Sequence, residues 1–162
     1  MAATELNRSE EKALRWWTLI PFLGFCGAAI AVGQAFPPAE WYESLTRPAI
    51  APPNWIFGVV WTPLYAMIAI AGWLLWERAR WSWAMRFWFV QLALNAAWSW
   101  LFFGLHRTDI ALVEIVILWI TIGATVVFSW LRVRPAAWLL LPYWLWVGFA
   151  TALNFEFWRL NA

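Results

Sequence analysis

Residues 55–76 read WIFGVVWTPLYAMIAIAGWLLW, 22 positions without a charged side chain. As a helix rising 1.5 Å per residue this stretch covers about 33 Å, enough to cross a ~30 Å hydrocarbon core. A barrel strand would alternate in polarity, and this run does not. Four further runs of the same character lie at 16–36, 87–105, 110–131 and 136–160. The 21 residues of the first have the length of a span rather than of a secretory signal. Charge collects in the breaks: Glu77, Arg78 and Arg80; His106, Arg107 and Asp109; Arg132 and Arg134. Segment 37–54 holds Pro37, Pro38, Pro48, Pro52 and Pro53 and cannot be one long helix. Trp41, Tyr42 and Trp55 favour an ordered loop there. The expected fold is an all-α integral membrane protein. Five transmembrane helices form a bundle, a long loop joins helices 1 and 2, and residues 1–162 make a single domain.

Composition points the same way. Of 162 residues, 64% are hydrophobic and 12% charged, with a mean hydropathy of +0.63. A soluble domain needs about a quarter of its residues charged to cover a wet surface. Tryptophan supplies 18 positions, and Trp16, Trp17, Trp76, Trp81 and Trp83 fit interfacial belts. A net charge of +2 without a basic run argues against nucleic acid. One cysteine, Cys26, excludes an intramolecular disulfide, and with a single histidine the usual zinc clusters are excluded too. No Ser-His-Asp set, phosphate loop or paired carboxylates occur, so no catalytic residue, metal or cofactor is expected. Eight Lys and Arg residues belong to the N-terminus and the second and fourth loops, against Arg47, Arg107 and Arg159 elsewhere. In a plasma-type membrane that asymmetry puts the N-terminus in the cytoplasm.

Polar groups in hydrocarbon need partners, so they mark packing or a site. Gln91, Asn95 and Trp98 share one face of helix 3, with Asn95 near mid-membrane. They read either as interhelical hydrogen-bond glue or as the lining of a cavity. Trp61 with Tyr65, and Trp146 with Ala150 and Asn154, form comparable stripes; the small Ala150 beside a large indole leaves room. Glu114, about one turn into helix 4, is a functional candidate by default, yet close enough to the end to reach water or Arg107. Pro21, Pro63 and Pro142 lie within spans and should bend them. Gly27 with Ala31, and Ala29 with Gly33, permit close approach on helix 1, either to a second copy or within the bundle; Ala93 and Ala97 offer another strip.

Three segments carry a resemblance. Trp41-Tyr42-Glu-Ser-Leu45-Thr-Arg47-Pro48 leads into Pro52-Pro53-Asn-Trp55-Ile-Phe57 and Trp61-Thr-Pro-Leu64-Tyr65. Gln91-Leu-Ala-Leu-Asn95-Ala-Ala-Trp98 is followed by Phe102-Phe103-Gly104. Pro142-Tyr143-Trp-Leu-Trp146 is followed by Phe149-Ala150-Thr151-Ala-Leu153-Asn154. In this order they resemble the TspO/MBR family, the tryptophan-rich sensory proteins of bacteria and the mitochondrial translocator protein or peripheral-type benzodiazepine receptor. The resemblance implies a membrane receptor or sensor that binds porphyrins and benzodiazepine-site ligands, transporting or sequestering them. It implies a pocket lined by Tyr42, Trp61, Asn95, Trp98, Trp146, Ala150 and Asn154, a homodimer, and a bacterial envelope or mitochondrial outer membrane. Light- and oxygen-dependent porphyrin breakdown, with Trp61 and Trp146 as redox participants, is the alternative. A structural protein with an incidental pocket is the third reading. The family's cholesterol segment needs a Tyr where this chain has Phe155, so tight sterol binding is not expected.

Overall fold

The computed structural model describes residues 14–38 and 40–162. Arg8 and Lys12, part of the charge count above, lie outside them. Among the described residues every regular element is helical. A 3₁₀ turn, Trp16–Leu19, opens into α1 (Ile20–Gln34). The chain then passes through a short α2 (Glu40–Ser44) to α3 (Asn54–Ala79). Next come α4 (Trp83–Ser99), which continues as a π-helical turn Trp100–Gly104, α5 (Thr108–Arg132) and α6 (Arg134–Asn161). Among the described residues four segments are long and apolar enough to cross a membrane: Trp16–Gln34, Asn54–Ala79, Thr108–Arg132 and Arg134–Asn161.

Helix ends fall where local chemistry puts them. Helix α4 starts four residues before the expected 87, because the Ser82 side chain accepts from the Met85 N–H and caps it. Helix α5 starts at Thr108 rather than 110, which changes the setting of Glu114. Asp109 takes the Arg107 guanidinium at 2.9 and 2.7 Å. Glu114 is then nearly two turns inside and buried, and neither carboxyl oxygen has a hydrogen-bond partner. The expected contact with Arg107 or water is not made. Pro21 stands at the start of α1, where a missing N–H costs nothing, so it does not bend a span. Pro63 and Pro142 do lie inside α3 and α6. Of the expected interfacial tryptophans, Trp16, Trp17, Trp81 and Trp83 are exposed; Trp76 is half-buried against Trp81 and Arg80.

The molecule is apolar outside as well as inside. Val59, Ile120 and Leu145 are each at least 60% exposed, a girdle that water would not tolerate. Since lipid is as apolar as leucine, helix association must come from close packing and hydrogen bonds. Small residues provide the closeness. Ala69 and Ala71 on α3, Ala84 on α4, and Ala136 and Ala137 on α6 are fully buried or nearly so. At Gly72 the Trp88 indole occupies the space where a side chain would begin: a Cβ would sit 2.5 Å from Trp88 Cε2. The same indole donates to the Ile68 carbonyl at 2.9 Å, fastening α4 to α3. Between α5 and α6 the arrangement is reciprocal. Trp119 lies over Gly148, Trp144 over Gly123, and the two indoles stack at 5.2 Å and 10°. On α1, Ala29 is buried and Gly33 approaches Ser99, so that pair packs within the molecule. Gly27 and Ala31 face outward.

Gly72→Ala forces Trp88 off both its packing and its hydrogen bond and should lower stability by ~1–3 kcal/mol. Gly27→Ala, with nothing within 4 Å of the new methyl, should leave stability unchanged or slightly raised. Thermal unfolding in detergent compares the two variants. Equal midpoints would show that the Gly72–Trp88 contact does not hold α3 to α4.

Candidate functional site

A cavity of about 310 Å³ lies among α1, α3, α4, α5 and α6, with the segment before α3 at its mouth. Its polar character is built by a chain of hydrogen bonds crossing the bundle. The Tyr65 hydroxyl on α3 donates to Asn95 Oδ1 on α4 at 2.6 Å. Asn95 Nδ2 in turn donates to the Tyr143 hydroxyl on α6 at 3.1 Å. One turn further along α4, Trp98 Nε1 donates to Asn154 Oδ1 at 3.0 Å, and Asn154 Nδ2 donates to the Thr108 carbonyl at 2.9 Å. Asn95 and Asn154 therefore each span two neighbours and cannot turn away from the cavity without breaking both contacts. The two readings of Asn95 coincide: it joins helices and it lines the space.

Tyr42, Trp61, Asn95, Trp98, Trp146, Ala150 and Asn154 all line this one cavity. Trp61 tilts against Tyr65 at 5.4 Å and meets Tyr143 edge-on at 6.1 Å. Trp146 is held by Phe57 and Phe149 at 5.9 and 5.4 Å. Its indole N–H is buried without a hydrogen-bond partner, which no other cavity-lining side chain among the described residues shares. Ala150, one turn along the same face, lines the cavity beside it.

The π-helical turn shapes the mouth. Its wider backbone ring, closed by Leu105 N donating to the Trp100 carbonyl at 2.9 Å, brings Phe102 and Phe103 against Tyr42. π-Turns inside helices often mark functional positions. Tyr42 packs on Phe157 as well, and its burial pushes the phenol above its usual pKa against the opposing charge of Arg47. Arg47 itself donates to the Pro52 carbonyl at 3.0 Å and stays outside the cavity lining. Every lining residue is uncharged. The loop is pinned from above: Asn161 near the end of α6 accepts from the Thr46 N–H at 2.8 Å and donates to the Thr46 carbonyl at 3.2 Å. His106, at φ 57°, stacks on Trp41 at 4.2 Å.

Sequence reasoning missed the contributions of α1 and of the mouth. Ile30, Gln34, Asn54, Phe57, Phe102 and Phe103 also line the cavity. Gly104, which ends the π-turn, would place a Cβ 2.9 Å from Phe36. Metal-binding groups of His, Cys, Asp and Glu are absent among the described residues, and the lining offers amides, indoles and phenols instead. Such a surface can stack flat rings and exchange neutral hydrogen bonds with them.

The TspO/MBR family model matches residues 17–159. Among similar proteins, Protein CrtK of Rhodobacter capsulatus is 40% identical over 140 residues, 84% of this chain and 88% of its own. The tryptophan-rich sensory protein of Cereibacter sphaeroides is 36% identical over 149 residues, 90% of this chain and 92% of its own. The translocator protein of Homo sapiens is 36% identical over 152 residues, 90% of this chain and 88% of its own. With a family match over most of its length and relatives at this identity, the chain belongs to the TspO/MBR family and is a membrane protein of the sensor and translocator kind.

Proposed function

We propose that the chain is a five-span receptor or sensor whose cavity binds a flat, largely apolar ligand of the tetrapyrrole class, with benzodiazepine-site compounds as smaller occupants. The observation that carries this reading is the uncharged cavity in which the indoles of Trp61, Trp98 and Trp146 stand beside the small Ala150. The Trp146 N–H is buried without a partner; such a donor costs ~1–3 kcal/mol, and a ligand nitrogen or carbonyl toward which the indole shifts recovers part of it. The volume sits at the small end of the roughly 300–1,000 Å³ found for ligand pockets. A rigid ring therefore enters by one edge, and its carboxylates stay at the mouth because the lining has no cation to receive them. The fifth span is α4, whose 17 helical residues run on through the π-turn to Gly104. The cytoplasmic side is the end bearing Arg78, Arg80, Arg86, Arg132 and Arg134, in keeping with the positive-inside bias. The bacterial relatives support a bacterial envelope.

Quenching of tryptophan fluorescence by protoporphyrin IX in detergent tests the binding. Trp146→Phe keeps most of the ring but loses the N–H and should weaken affinity about fivefold, the worth of one hydrogen bond of about 1 kcal/mol. Ala150→Leu fills the space itself and should weaken affinity more than tenfold while costing at most ~1–3 kcal/mol of stability. If Ala150→Leu lowers stability and leaves affinity intact, Ala150 is ordinary packing and the ligand sits elsewhere.

The outward strip of α1 is the face we assign to a homodimer. A Cβ placed on Gly24 or Gly27 would meet nothing within 4 Å, and Ala31 is exposed on the same side. Gly27→Leu and Ala31→Leu should each reduce crosslinked dimer without changing the thermal midpoint of the monomer. Unchanged crosslinking in both variants removes this face from the interface.

A further inference from the structure

At the end of the bundle opposite the ligand cavity, a second hollow of about 510 Å³ lies between the start of α4 and the end of α5. Arg86 and Arg132 line it together with Trp81, Trp83, Phe128 and Leu131. Phe87 and Phe128 stack at 5.6 Å and 8°, fixing the two helices beside one another here. The Arg86 guanidinium lies 4.8 Å over the Trp83 ring, and this cation–π contact holds it at the rim. Positive potential accumulates at this end. Helix α4 has no acidic residue in its first turn and carries Arg86 there, so its N-terminal dipole and the arginine add, while the opposing C-terminal dipole of α5 is answered by Arg132 in its last turn. Arg78, Arg80 and Arg134 stand nearby in sequence at the same end. Glu77 is the acidic residue at this end among the described residues, and its carboxylate is occupied by Arg15 at 3.7 Å and the Thr18 hydroxyl at 2.8 Å. Neither Arg86 nor Arg132 forms an ion pair among the described residues.

The walls decide what kind of anion fits. Trp83 is 60% exposed and Leu131 71% exposed, so the hollow opens sideways onto the apolar girdle as well as outward past the arginines. A free inorganic anion would use the cations and ignore those walls. We propose that this hollow is a binding site for an anionic phospholipid: the phosphodiester is gripped by Arg86 and Arg132, the glycerol region lies between Trp81 and Trp83, and the acyl chains run down over Phe128 and Leu131. Guanidinium groups suit this task, since they are always charged and present several donors to phosphate oxygens. Basic hollows between membrane helices on the cytoplasmic side are suited to such headgroups.

Native mass spectrometry of the full chain, titrated with phosphatidylglycerol or phosphatidylcholine in detergent, tests the assignment. Phosphatidylglycerol should be retained preferentially. The double variant Arg86→Gln/Arg132→Gln should weaken that retention about thirtyfold, the factor two basic side chains supply near an anionic surface. Arg78→Gln/Arg134→Gln removes the same charge outside the hollow and should change retention less than threefold. Arg86→Lys/Arg132→Lys reports on folding and should keep an intermediate affinity. Equal loss in both glutamine variants would reduce the effect to a diffuse positive surface and overturn the site. Equal retention of phosphatidylcholine, or displacement of the lipid by millimolar inorganic phosphate, would overturn the lipid assignment.

Discussion

Asn95 sits where three helices must agree. Its carbonyl accepts from Tyr65 on α3 and its amide donates to Tyr143 on α6, while its own backbone belongs to α4. In hydrocarbon none of these groups has a solvent alternative, so the register of the three helices is tied to one amide. A shift of any helix by one residue turns its partner by about 100° and leaves polar atoms stranded. The interhelical hydrogen bonds measured in membrane proteins average only about 0.6 kcal/mol. What the network secures is less depth of stability than the uniqueness of the arrangement around the cavity.

Between these polar ties the bundle is held by shape. Trp88 over Gly72, Trp119 over Gly148 and Trp144 over Gly123 place the largest side chain against the smallest. Each pair lets helices approach while the indole fills the gap that the glycine leaves. This explains how a chain so rich in tryptophan folds without crowding. Some of its indoles are wedges, as Trp88 is; others line the cavity, as Trp61, Trp98 and Trp146 do; and Trp16, Trp81 and Trp83 stay outside. Composition cannot tell these roles apart, because all three require the same residue.

The helical runs were legible because about 20 residues of unbroken hydrophobicity match the thickness of a hydrocarbon core and little else. Their ends were less so. Glu77 and Arg78 read as a break, yet α3 continues to Ala79, since a charged pair at a membrane boundary need not end a helix. The stripes Trp61 with Tyr65, Asn95 with Trp98, and Ala150 with Asn154 could be picked out by spacing, and they converge on one cavity. The α1 side of the cavity could not. Ile30 and Gly33 are apolar residues among many, and nothing in their spacing separates a cavity wall from a lipid face. Glu114 was misplaced because its neighbour Asp109 was the better partner for Arg107, a competition only geometry resolves.

The two ends of the molecule divide polar work between them. At the loop end the chain closes on itself: Asn161 clamps Thr46, His106 stacks on Trp41, and Arg47 satisfies the Pro52 carbonyl. Arg47, Arg107 and Arg159 are each engaged in local contacts, and the cavity beneath is lined by no charge. At the other end the arginines outnumber their acidic partners among the described residues, and aromatic rings hold them open toward the membrane surface. An uncharged cavity does not attract anions in general. Under the proposed function, that neutrality leaves selection to ring shape and neutral hydrogen bonds. Positive charge without a hydrogen-bonded partner among the described residues is found instead at the far end, where Arg86 and Arg132 stand.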